Sequence, residues 1–122
     1  MLIALLTILL LGGGTSAFLD YIADSKDAVK TVMIKDSGQQ AALDILKAMK
    51  KRSKSHNKQI RKTIKELGKH LEGRHDNVAE IAAIGDRHFE NLELYNSDIL
   101  DLRFELKEHV TREEWAQIFP EE

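Results

Sequence analysis

The sequence has no cysteine, a single proline and few aromatic residues, 6% of its 122 positions. Without cysteine there can be no disulfide framework, no thiolate metal site and no cysteine nucleophile. One proline and seven glycines supply too little turn chemistry for a many-stranded sandwich. A phosphate-cradling loop is also missing, because Gly12, Gly13 and Gly14 lie in apolar sequence with no Lys-Ser or Lys-Thr pair close behind. There is no serine-centred nucleophile elbow and no repeat of the length that builds solenoids. What is present, 43% hydrophobic and 31% charged residues, fits one all-α module with no catalytic motif.

Charge is strongly segregated behind a formal net value of −2. Residues 1–25 carry −2, residues 26–75 carry +9 and residues 76–122 carry −9. The basic block is densest from Ile45 to Lys65, with nine Lys or Arg and no acid, whereas the last block has thirteen acids against four bases. Such asymmetry commonly signals contact with nucleic acid or a membrane. Here the complementary block sits in the same chain, so pairing of the two halves is the simpler expectation.

Residues 1–19, MLIALLTILLLGGGTSAFL, contain no charged side chain. As a helix rising about 1.5 Å per residue they would roughly match a hydrocarbon core of about 30 Å. The segment therefore reads as a single membrane span, with the lipid bilayer as a partner. A cleaved signal competes, since Leu2–Leu11 suits its apolar core and Thr15-Ser16-Ala17 offers small residues before a cut, although no Lys or Arg precedes the run. Lys26, Lys30 and Lys35 follow the span, which favours a cytoplasmic C-terminal part; the signal reading would export it. The expected division is a 1–24 anchor or signal segment, a 25–37 juxtamembrane helix and break, and a 38–122 charged helical hairpin.

Phe18, Ile22, Val29, Val32 and Met33 continue a helical spacing to about Lys35, where Asp36-Ser37-Gly38 breaks it. Ser37 with Gln40 fits a capping box for a helix reaching about Leu71, with Leu43, Leu46, Met49, Ile60, Ile64, Leu67 and Leu71 on its apolar stripe. Between Met49 and Ile60 the inward positions fall on Ser53 and on His56 or Asn57, a polar gap that costs packing and can fix register. Lys47, Lys51, Lys54, Lys58, Lys62, Lys65 and Lys69 form a basic stripe on a neighbouring face. Asn77 with Glu80 caps the next helix, which carries Val78, Ile81, Ile84, Phe89 and Leu92, with a second break expected at Asn96-Ser97 before Ile99, Leu102 and Leu106. The acidic half, richer in bulky residues, is expected to hold most of the core. Thr111 as N-cap, Glu114 at N3, Val110 at N′ and Trp115 at N4 satisfy a capping box and a hydrophobic staple, and Pro120 ends that short helix.

Five histidines among many carboxylates raise a metal hypothesis, since inward Glu and His from several helices can hold a di-metal centre. Only Glu72 and His75 have the three-residue spacing of such centres, and they fall in a turn. His109 and Glu113, in Glu108-His109-Val110-Thr111-Arg112-Glu113-Glu114 followed by Phe119-Pro120, give a His-x-x-x-Glu-Glu run with a closing Phe-Pro. This run resembles the hemerythrin-like HHE cation-binding domains, and the resemblance, over about a tenth of the chain, implies iron in a four-helix bundle. If Thr111 caps a new helix, however, His109 and Glu113 stand on different helices and lose the alignment that chelation on one face requires.

The expected architecture is an all-α chain: an N-terminal membrane helix, a long coiled-coil-like helical hairpin and a short capped C-terminal helix. The function it suggests is a non-catalytic membrane-anchored interaction or scaffold protein, with no cofactor, that self-associates or binds a helical partner. Its contact residues would be Lys47, Lys51, Lys54, Lys58, Lys62, Ile60, Ile64 and Leu67. A metal-binding sensor or storage module is one alternative. A polybasic binder of anionic lipid is another, whereas nucleic acid is disfavoured because the basic half has no aromatics for base stacking.

Overall fold

The computed structural model describes residues 13–72 and 78–120, and among these it is all-helical, without a strand. Four helices follow in order: α1 Gly13–Val32, α2 Ser37–Glu72, α3 Val78–Lys107 and α4 Arg112–Ile118. α2 and α3 form a long antiparallel hairpin whose register is set by Arg52 opposite Asp98, Ser53 opposite Tyr95 and Glu66 opposite Arg87. At about 1.5 Å per residue α2 alone runs about 54 Å.

α1 folds back along the first half of α2 and touches α4. Ile22, Ser25 and Val29, spaced by three and four, are buried, while Asp20, Asp24, Asp27 and Lys30 face water. No helix among the described residues is long and apolar enough to cross a membrane. The expectation of a single-pass membrane protein, on either side of a bilayer, is corrected on that finding: the helix that starts at Gly13 is charged along one face and sets its apolar face against protein. Residues 1–12 of the expected span lie outside the described residues. The expected boundary between residues 24 and 25 falls inside α1, and both sides of it contribute to the same core as α2 and α3.

That core gathers Ile22, Val29 and Met33 of the first segment, Ala42, Ile45, Leu46 and Met49 of α2, and Leu106, Val110, Ile118 and Phe119 beyond. Burying each large aliphatic side chain contributes about 1.5–3 kcal/mol. The acidic half therefore shares the core instead of dominating it. α3 runs unbroken through Asn96-Ser97, because Tyr95 and Ile99 on either side are held in the packed face and tertiary contact outweighs weak local turn preference.

The α1–α2 connection is closed by polar groups. Asp36 Oδ1 accepts from the Gln39 backbone N–H at 3.0 Å, which makes Asp36, and not Ser37, the residue that caps α2. Gln39 is buried, and its side-chain amide donates to the carbonyl of Met33 at 3.2 Å, past the end of α1, and at 3.5 Å to that of Val29, which also accepts the Met33 N–H. At the other end the expected capping box is present: Thr111 Oγ1 accepts from the Glu114 N–H, and Glu114 Oε1 accepts from the Thr111 N–H.

Candidate functional site

The hairpin changes character halfway along. Below Met49 its seam is apolar and covered by α1 and α4; beyond it Ser53, His56 and Thr63 of α2 and His88 and Tyr95 of α3 are buried alongside Ile60 and Ile84. The expected polar gap is thus real, with Ser53 and His56 fully inside and Asn57 half-buried. Its partners on α3 were not legible, because the apolar pattern assigns Phe89 inward. In the structure His88 takes the seam and Phe89 is 44% exposed.

Across this gap Ser53 Oγ and Tyr95 Oη share a hydrogen bond of 2.8 Å. The His56 and Tyr95 rings stack with centroids 4.1 Å apart and only 3° between planes. The Arg52 guanidinium lies 5.4 Å from the Tyr95 ring centroid and its Nε donates to Asp98 Oδ2 at 2.7 Å, closing the cluster on its solvent side. Among the described residues, His56 Nδ1 and His88 Nε2 are buried without a hydrogen-bond partner. Burial holds both imidazoles below their ordinary pKa, and for His56 the nearby Arg52 and then His88 push the same way. Both shifts favour the neutral imidazole.

Among the described residues no group of three or more His, Asp or Glu is placed to hold a metal ion, and two imidazoles fall short of the four ligands of a closed zinc site. Glu72 is exposed at the end of α2, and His75 lies outside the described residues. His109 is in the turn after α3, and Glu113 is in the first turn of α4 beyond the Thr111 cap, so the break that the cap implies separates them.

The charged residues look outward. Lys47, Lys51, Lys54, Lys58 and Lys62 are all exposed on the side of α2 turned from the seam, while Asp86, Glu90, Glu93, Asp101 and Glu105 are exposed along α3. Ile60 of the expected contact set is buried in the seam, Leu67 is half-buried and Ile64 is exposed. Among the described residues the ion pairs between α2 and α3 are Arg52–Asp98 and Glu66–Arg87, neither from the lysine stripe. The two halves therefore fold together through their seam, and the hairpin carries a basic edge and an acidic edge. Leu100 and Phe104, 50% and 58% exposed, sit among the acids.

A cavity of about 100 Å³ lies where Phe18 and Ile22 of α1 meet Leu46 and Met49 of α2, Leu106 of α3 and Phe119. No family model, curated protein or solved structure matches the chain.

Proposed function

We propose that the chain is a non-catalytic helical interaction module that self-associates, the basic edge of one copy meeting the acidic edge of another. The observation that carries this reading is the outward segregation of charge: the lysines of α2 and the carboxylates of α3 do not neutralise each other within the hairpin. An exposed ion pair contributes only about 0.2–1 kcal/mol. Charge would therefore choose partner and orientation, and burial of Leu100 and Phe104 under lysine stems would supply most of the affinity. Because the two edges differ, the contact is heterologous and propagates to a ring or a filament.

Molar mass measured by light scattering at low and high salt tests the reading. Wild-type chain is expected to grow in mass with concentration at low salt and to dissociate at high salt. The Lys54→Glu, Lys58→Glu, Lys62→Glu variant should stay monomeric. Mixing it with an Asp86→Lys, Glu90→Lys, Glu93→Lys variant should restore association. A wild-type chain that remains monomeric at low salt across the concentration range overturns the proposal.

A further inference from the structure

The cavity of about 100 Å³ between α1 and the hairpin gathers the aromatic residues of the chain. Of its seven aromatic side chains, four line this one space: Phe18 and Tyr21 from α1, Trp115 from α4 and Phe119 just beyond it. With Leu46 and Met49 of α2 and Ile99 and Leu106 of α3, every helix contributes a wall. Burial distinguishes floor from mouth, since Ile22, Leu46, Met49, Leu106 and Phe119 are inside, while Arg103 and Trp115 are half-buried and Tyr21 is 40% exposed. Protein interiors close most voids larger than a water molecule. A water placed here would need two to four polar partners, yet below the mouth the polar side chain is Ser25, whose hydroxyl already donates to the Tyr21 carbonyl at 2.7 Å. The space suits an apolar guest. An apolar cavity of about 150 Å³ admits benzene, so this one, open at its rim, takes a single ring or a short alkyl chain, and the unbranched thioether of Met49 can shift to fit it.

The charges at the mouth select the guest's other end. Residues 76–122 carry thirteen acids and four bases, and three of those bases collect around Trp115. Arg103 lines the cavity with its guanidinium carbon 5.8 Å from the indole ring, Lys107 Nζ lies 5.3 Å from the same ring, and Arg112 shares a surface hollow with Lys107 and Trp115. Glu114, next to the ring in sequence, turns its carboxylate to the Thr111 N–H. A positive rim above an apolar floor is an arrangement that holds an amphiphilic anion. We infer that this cavity binds a small carboxylic acid whose apolar body is no larger than one ring or a short alkyl chain, the body standing on Met49 and Phe119 and the carboxylate meeting Arg103. The guanidinium presents five N–H donors in a flat fork matched to a carboxylate, so one side of it serves the ligand while the cation stays over Trp115. Because the walls come from all four helices, occupancy clamps α1 and α4 onto the hairpin.

Trp115 is the single tryptophan and stands at the mouth, so its emission reports the site directly. Cyclohexanecarboxylate and hexanoate, which do not absorb where tryptophan is excited, are titrated into the full chain, with cyclohexanemethanol as the neutral counterpart and cyclohexylamine as the cationic one. Saturable binding of the acids at about millimolar concentration is expected, the strength that so few non-hydrogen atoms supply. The alcohol should bind about tenfold more weakly, for want of the charged hydrogen bonds, and the amine more weakly still. In wild-type chain the acids should also raise the melting temperature with the logarithm of their concentration. Arg103→Gln should remove the preference for the acids and leave the affinity for the alcohol unchanged, a split that a cation serving only to cover the indole would not produce. Ile99→Phe, at a half-buried lining position, should abolish saturation by every compound, with a cooperative melt as the check that it folds. Wild-type chain without a saturable response to either acid overturns the inference. Equal affinity for acid, alcohol and amine overturns it too, as does undiminished binding by a folded Ile99→Phe chain. Protein and salt concentration are held fixed and molar mass plays no part in the readout, so the result stands or falls separately from association through the charged edges.

Discussion

The hydroxyl shared by Ser53 and Tyr95 has a definite energetic meaning. Both groups are buried, and removing one leaves the other desolvated and unpaired, at a cost of about 1–3 kcal/mol. Tyr95→Phe should therefore lower the stability measured by urea unfolding, whereas Tyr95→Phe with Ser53→Ala should recover part of the loss. A double variant worse than the sum of the singles would show that the bond is not the stabilising element. His56 and His88 make a different prediction. Burial lowers both pKa values, so between the lowered values and the ordinary value of about 6.5 the unfolded chain binds more protons than the folded one. Stability is then complete above about pH 6.5 and declines as pH falls below it. Around His56 the charged neighbours are Arg52, which opposes protonation, and Asp98, which Arg52 engages. The melting temperature should drop between about pH 7.5 and about pH 5.5, and a His56→Phe, His88→Leu chain should show a smaller drop. An unchanged pH slope in that variant would assign the dependence to other groups.

Each helix shows what local sequence can and cannot specify. The α4 cap was legible because Thr111, Glu114, Val110 and Trp115 all lie within six residues and the reciprocal bonds need nothing from elsewhere. Thr111→Ala should cost about 0.5–2 kcal/mol, read from the unfolding transition of the single tryptophan, Trp115, which packs on Phe119 at 4.5 Å. An unaltered midpoint would mean that tertiary contacts alone hold α4. The start of α2 was misassigned for an equally physical reason. Asp36 with Gln39 and Ser37 with Gln40 both fit a cap spacing; only the fold shows that Gln39 turns to the carbonyls ending α1, leaving Asp36 to take the helix N–H. His88 was hidden behind Phe89, since an apolar pattern ranks phenylalanine inward and gives no sign that this stretch of the seam is polar, with His56 and Thr63 of α2 buried in it. The lysine stripe of α2 is a continuous exposed face, as its spacing implies, and the ion pairs that join α2 to α3 among the described residues do not use it. Charge balance between two halves says nothing of direction, and the apolar seam turned both faces outward.

At the scale of the whole molecule, α1 decides between two ways of using apolar sequence. A helix destined for a bilayer presents apolar groups all round, whereas α1 concentrates them at Ile22, Val29 and the adjoining Met33 and leaves its acids in water. That one face ties distant parts of the chain together. α4 follows α3 in sequence, and Arg103 and Lys107 of α3 lie over its Trp115 ring, yet it also packs on α1, with Tyr21 and Phe119 rings 5.8 Å apart. Ile22 is 1% exposed at the junction, and truncating it leaves a cavity beside one already present. Ile22→Ala should destabilise the fold by about 2–5 kcal/mol. Hydrogen exchange should accelerate in α4 as well as in α1, while the distal turns of α2 and α3 around Ile60 and Ile84, held by their own seam, respond less. If α4 keeps its protection while α1 loosens, the short helix is anchored by its cap and by α3 alone, and α1 is an accessory to the hairpin and not the clasp that closes it.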